Sequence, residues 1–170
     1  ARWVSIWSGG LGNSREQCCA PTSPVNNTTV TCSGATVDQN GSDGYGSSSD
    51  KGNTYSILSG ASITGTRFGL RFLDLGTVNN FGTITGAGPG GLSGGGIFGL
   101  VRGTVNNFGT ISATGADSAG VGFNAIGLVT NSGSISGVRQ GVRLQNGEVT
   151  NTATGTIEAL TNGVEIDDVA

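Results

Sequence analysis

Apolar and polar positions alternate along most of the chain in short phrases that recur about every 20 to 27 residues. One phrase reads Val-x-Asn-x-Gly-x-Ile, and its copies begin at Val78, Val105, Val129 and, with two extra residues, Val149. A second phrase, a glycine followed by alternating apolar residues, lies between these copies. Each unit is too short to bury its own apolar side chains, and stacking the units solves that problem. The pattern therefore predicts a parallel β-solenoid.

Stacking the units in register places four columns of apolar side chains in the interior. The columns are Leu70, Ile97, Val121, Val142 and Val164; Phe72, Phe123, Leu144 and Ile166, with Gly99 as a gap; Val78, Val105, Val129 and Val149; and Ile63, Ile84, Ile111, Ile135 and Ile157. We therefore predict an all-β fold, a parallel β-helix of about five coils with an irregular N-terminal segment.

The asparagine of each phrase also stacks, at Asn80, Asn107, Asn131 and Asn151. Amide side chains in register can hydrogen-bond along such a column, and asparagine tolerates the backbone of a tight corner. The asparagine column recurs in every coil, so it indicates architecture rather than a ligand site.

Arg143 and Glu165 take equivalent outward positions in successive coils, which predicts an exposed ion pair.

The repeats begin near residue 55 and so divide the chain into an irregular N-terminal segment and a solenoid. Residues 1–54 are predicted to form the irregular segment, with TTVTCSG as a lead-in strand and DQNGSDGYGSSSDKGN as a loop outside the repeat. Residues 55–170 carry the solenoid repeats. The final phrase, NGVEIDDVA, stops in mid-coil, and an open coil invites another strand. We expect either a fragment of a longer solenoid or an end that another subunit covers.

Composition narrows the classes of function. Glycine occupies 33 positions, charged residues make up 11%, the net charge is -3 and histidine is absent. The basic residues are scattered singly, which argues against nucleic acid as a partner. No apolar run is long enough to cross a bilayer, so we expect no membrane insertion of this segment.

The three cysteines lie close together in the first fifth of the chain. Neighbouring cysteines seldom bond to each other, so we expect either Cys18 or Cys19 to pair with Cys32. Three reduced, buried thiols are the alternative. A zinc site lacks a fourth ligand because the chain has no histidine.

The phrases VNNTTVTCSG, SGASITGT, VNNFGTITG, VTNSGSISG and GVRLQNG resemble, in this order, the N-terminal passenger region of Gram-negative autotransporters. The resemblance runs from about Val25 to the end of the chain. It implies a right-handed β-helix that is secreted through the outer membrane by a C-terminal β-barrel and serves in adhesion, aggregation or biofilm formation. The sequence contains neither that barrel nor a signal peptide, so the resemblance implies a cleaved or truncated passenger.

Two features are candidates for a binding surface. Phe81 and Phe108 stack outside the apolar columns as an exposed aromatic pair, able to dock a sugar or protein or merely to shelter a turn. The insertions TGAGPGGLSGG and SATGADSAG lie on adjacent coils and are predicted to bulge from one edge, presenting Pro89, Leu92 and Asp117. The alternative is that such glycine-rich loops are simply tolerated.

The sequence contains no group of residues typical of a catalytic or metal-binding site. Asp38, Asp43 and Asp50 form the one dense acidic group of the N-terminal loop, but that loop lacks the ligand pattern of a calcium-binding EF-hand. Serines have no histidine base nearby, so we predict no catalytic residue, no metal and no cofactor.

We therefore expect a non-catalytic, extracellular or cell-surface β-helix that acts as an adhesin or structural rod. Its partner would be a protein or glycan on a host or neighbouring cell. One alternative is a subunit that stacks end to end into an extracellular filament. Another is a β-helical enzyme that degrades polysaccharides, and ice binding is a remote option because Thr83, Thr110, Ser134 and Thr156 make one imperfect column.

Overall fold

The chain winds into stacked coils, each built from three short strands. The structure is a computed structural model that describes residues 19–89 and 95–167. Within these ranges all regular secondary structure is β-strand, and a six-stranded parallel sheet takes one strand from each coil. The all-β solenoid predicted from the repeats is confirmed, with six coils instead of about five.

The strands form three sides, here called A, B and C in chain order within a coil. Two long strands, β13 (Ala119–Asn131) and β15 (Gln140–Asn151), each serve side C of one coil and then side A of the next. Side A otherwise consists of β2 (Thr29–Cys32), β5 (Thr54–Ile57), β8 (Gly76–Asn80) and β11 (Gly103–Asn107). Side B consists of β3 (Ala35–Val37), β6 (Ser62–Gly65), β9 (Thr83–Gly86), β12 (Thr110–Ala113), β14 (Ser134–Gly137) and β16 (Thr156–Ala159). Side C is completed by β4 (Tyr45–Gly46), β7 (Phe68–Phe72), β10 (Gly95–Gly99) and β17 (Asn162–Ile166). A short strand, β1 (Cys19–Ala20), pairs antiparallel with β2.

The additional coil is the first one. Its strands β2, β3 and β4 pair in parallel with β5, β6 and β7 of the second coil. The loop that the repeat pattern left unplaced contains β4, and its Tyr45 lies opposite Leu70. Cys32 and Thr36 stand where later coils have asparagine and isoleucine, which is why the phrase is unrecognisable there.

The interstrand register reproduces the four predicted columns, but Val164 and Ile166 in the sixth coil are exposed instead of interior because no further described coil covers them. Val78 lies opposite Val105, which in turn lies opposite Val129, and the other columns follow the same rule. The gap at Gly99 has a steric cause, because a Cβ atom there would lie 2.3 Å from the Phe123 ring. The rings of Phe72 and Phe123 occupy that space, with centroids 5.9 Å apart.

The glycine that begins each side C phrase lets two sides of the coil approach closely. A Cβ atom on Gly96 would lie 2.6 Å from the Cγ2 atom of Ile111, and one on Gly120 would lie 2.7 Å from that of Ile135. Real Cβ atoms do not come that close, so only glycine admits the side B isoleucine at this corner. This contact explains the glycine in four of the five copies of the phrase, since a Cβ atom on Gly163 in the last copy would meet nothing closer than 3.5 Å.

A buried ladder of asparagine amides joins the later coils. The Nδ2 atom of Asn80 donates to Oδ1 of Asn107 at 2.8 Å, and Asn107 donates in the same way to Asn131 at 2.8 Å. The Asn107 amide also donates to the backbone oxygens of Gly109 at 3.2 Å and Ser134 at 3.1 Å. The predicted hydrogen-bonded column is thus confirmed: Asn80, Asn107 and Asn131 are buried, and Asn151 at its end is exposed.

Replacing Asn107 with alanine is expected to cost about 3 kcal/mol of unfolding free energy, because the buried amides above and below each lose a partner. Asn106→Ala is the matched control, since that half-buried side chain makes one outward hydrogen bond to Asn79. The control should cost about 1 kcal/mol or less. Chemical denaturation followed by circular dichroism measures both, and equal losses would contradict a structural role for the ladder.

Candidate binding surface

Phe81 and Phe108 lie at the corner between sides A and B in the third and fourth coils. Their rings are parallel within 5° and their centroids are 4.8 Å apart. They are 50% and 52% exposed, respectively. Each follows directly after a ladder asparagine, and Phe108 donates its backbone N–H to the Asn80 carbonyl at 2.8 Å. The structure therefore holds the pair on the outside of a rigid corner.

A third apolar side chain extends this pair, and the repeat pattern did not single it out. Leu58 follows β5 as Phe81 follows β8, and its N–H donates to the Cys32 carbonyl at 3.0 Å. Leu58 is also exposed. We call Leu58, Phe81 and Phe108 the apolar ridge. The signal that would have found Leu58 is its position one residue after the side A strand.

The ridge ends at the fifth coil. Ser132 takes the equivalent corner position there, since its N–H donates to the Asn107 carbonyl at 2.8 Å as that of Phe108 does to Asn80. In the sixth coil Thr152 donates to Asn131 in the same manner. The corner therefore changes from apolar to hydroxyl side chains while the first backbone hydrogen bond of the corner is kept.

The glycine-rich insertions lie at a different corner, between sides B and C. Pro89 and Asp117 are both exposed there, while Leu92 lies outside the described residues. The backbones of the two corners stack, because Thr114 donates its N–H to the Gly86 carbonyl at 2.9 Å. Side B separates this corner from the apolar ridge, so the structure does not bring the two predicted candidate surfaces together.

The described surface includes two shallow depressions at corners of the coils. One, of about 470 Å³, lies along the B–C corner of the last three coils and is lined by Thr114, Ser136, Val138, Glu158 and Leu160, among others. The other, of about 250 Å³, lies at the C–A corner. It includes the exposed side chains of Leu75, Ile126 and Leu128 beside Arg102.

The acidic residues of the first coil are each engaged in structural contacts. Asp38 accepts a hydrogen bond from the Thr66 N–H at 2.7 Å, and Asp50 is fully buried and accepts from the hydroxyls of Ser23 at 2.8 Å and Ser47 at 2.9 Å. Residues 19–89 and 95–167 contain no group of three or more side chains of the metal-binding types placed to hold an ion. In the same ranges no helix is long and apolar enough to span a membrane.

Burial, hydrogen bonds and ion pairs between coils shift the pKa values of three carboxyl groups. Burial raises the pKa of Asp43, and the neighbouring Arg71, 3.5 Å away, opposes this shift. The pKa of Asp74 is lowered, chiefly by its two hydrogen bonds of 3.0 Å from Arg102. Hydrogen bonds from Gln140 and Asn162 lower the pKa of Glu165.

The outward pair predicted in the last two coils is present. Arg143 lies 3.9 Å from Glu165, and it makes a closer contact of 2.7 Å with Asp167.

A disulfide joins Cys19 to Cys32, and Cys18 lies outside the described residues.

Comparison with known proteins finds no matching family model, curated protein or solved structure.

The Asp74–Arg102 ion pair makes the stability of the folded protein fall as the pH falls into the acid range. Because the folded protein lowers the pKa of Asp74 below 3.8, the stabilisation is present above pH 3.8 and is lost as the pH falls through the folded value. Arg102→Gln should therefore lower Tm by about 2 °C at neutral pH, as expected for a pair whose arginine is half-exposed. Thermal melts across the acid range should show this difference shrinking, and a difference that is constant with pH would contradict the assignment.

Proposed function

We propose that this protein is a non-catalytic, exported β-solenoid that works as an adhesive rod through its apolar ridge. The observation that carries the proposal is the parallel pair of half-exposed phenylalanine rings at one corner. Exposed phenylalanines are energetically costly to leave in water, and their grouping on successive coils is typical of an interaction site. The proposed autotransporter origin agrees with this role and remains an expectation from the sequence resemblance.

The backbone supports the ridge as a preorganised surface. Each ring follows a residue whose amide is fixed in the buried ladder, so little conformational freedom is lost when a partner docks. The ridge also lies away from the ion pairs at Asp43 and Asp74 on the C side of the coils. Its recognition would therefore rest on apolar and stacking contacts rather than on charge.

Export is supported by the disulfide between Cys19 and Cys32, since such bonds persist in oxidising compartments. We propose a cell-surface or secreted location and a protein or glycan of another cell as the partner. A planar sugar face or an aromatic side chain fits the exposed rings chemically. The filament and polysaccharide-degrading alternatives stay predictions.

The test is the double variant Phe81→Ser and Phe108→Ser, which copies the serine found at the same corner in the next coil. Binding to bacterial cells and to a glycan array should fall about tenfold or more, because stacked aromatic side chains at the centre of an interface dominate affinity. The β-sheet circular dichroism should remain unchanged.

Ile126→Ser with Leu128→Ser is the matched control. These side chains are each 48% exposed and lie at the C–A corner, away from the ridge. The control should bind as the parent does. Undiminished binding by the phenylalanine variant, or an equal loss in the control, would refute adhesion through the ridge.

A further inference from the structure

A short segment before the first coil closes that end of the solenoid. Residues 19–28, here called the N-terminal cap, begin with β1 and lead into β2. The pairing of β1 with β2 is antiparallel, whereas every other pair of named strands in the described residues is parallel. Residues 26–28 of the cap already run in parallel beside residues 51–54 of the second coil, whereas β1 is an antiparallel strand laid on an edge that would otherwise be open.

The cap is attached along its length by side chains of the first two coils. Besides the disulfide, Asn53 donates from Nδ2 to the Val25 carbonyl at 2.6 Å and accepts at Oδ1 from the Thr28 N–H at 3.1 Å. Three further contacts are Gln39 Nε2 to the Cys19 carbonyl, Tyr45 Oη to the Pro21 carbonyl, and Ser23 Oγ to Asp50. These groups lie on all sides of the coil, so the cap crosses the whole end.

Comparison of the first and last described coils shows what the cap covers. Tyr45 and Val164 belong to the same core column. Five register steps connect them, through Leu70, Ile97 and the strands β13 and β15. Tyr45 is 0% exposed, and Val164 in the sixth coil is 43% exposed. Val25 of the cap packs against the same core. The cap thus buries an apolar end that a coil does not bury by itself.

We propose that the N-terminal cap is a built-in block against self-association, and that its removal lets two copies of this chain pair through β2. An open strand edge with an apolar end attracts another strand. Two copies of β2 related by a two-fold axis meet antiparallel, which is the orientation in which β1 already occupies the edge.

The chemistry of the edge favours a second copy as the occupant. The outward side chains of β2 are Thr29 and Thr31, which carry no charge, so two copies meet without like-charge repulsion. The two-fold arrangement uses the same edge in both molecules and therefore closes as a dimer. Head-to-tail stacking would instead produce longer assemblies, and mass measurement distinguishes these outcomes.

The experiment uses the full chain with residues 19–25 replaced by glycine and serine and with Cys32→Ser. All proteins, including the parent, carry Cys18→Ser so that no intermolecular disulfide forms. Light scattering after size exclusion should give the cap-replaced protein about twice the mass of the capped parent, with the β-sheet circular dichroism retained. Adding Thr31→Lys to the cap-replaced protein should restore the monomer, because it places like charges across the edge.

A folded, cap-replaced protein that stays monomeric would overturn the proposal, and so would assemblies larger than a dimer. If replacing the cap abolishes the β-sheet signal, the milder variant Cys19→Ser, Cys32→Ser and Gln39→Ala decides, because it removes the disulfide and the side-chain hydrogen bond that hold Cys19 of β1. A dimer in that variant supports the block, whereas a monomer at the same concentrations overturns it.

Discussion

The buried asparagine ladder is the constraint on which the later coils depend. The amides of Asn80, Asn107 and Asn131 each donate to the next coil's amide and to backbone carbonyls of their own and the next corner, so they satisfy polar groups that burial would otherwise leave unpaired. A slip of one residue between coils would bury other side chains and break every rung at once. Register, core columns and corners are therefore specified together.

The same constraint explains where a surface for recognition arises. Residues immediately after the ladder face outward at a corner whose backbone is held from both sides, and their identity is free to vary. Phenylalanine occupies this position in two adjacent coils and serine in the next, while the backbone hydrogen bond is conserved between them. The solenoid thus separates a rigid interior, repeated in each coil, from a corner on which chemistry can differ.

The interior was predictable from sequence because period-two alternation and the recurring Asn-x-Gly phrase report on it directly. The four columns, the ladder and the stacked phenylalanines all follow from aligning the copies. The first coil was not predictable as such, because Cys32, Thr36 and Tyr45 replace the residues that mark the phrase. Nor does periodicity reveal the cap, since its antiparallel strand and polar anchors depend on contacts between residues far apart in the chain.

Side-chain amide hydrogen exchange, measured by NMR, tests the central account most directly. Asn107 and Asn131 should exchange their Nδ2 hydrogens far more slowly than Asn106 and Asn79, because the former lie in the buried ladder and the latter are only half-buried. Exchange of all four amides at similar, rapid rates would contradict a ladder that locks the register of the coils.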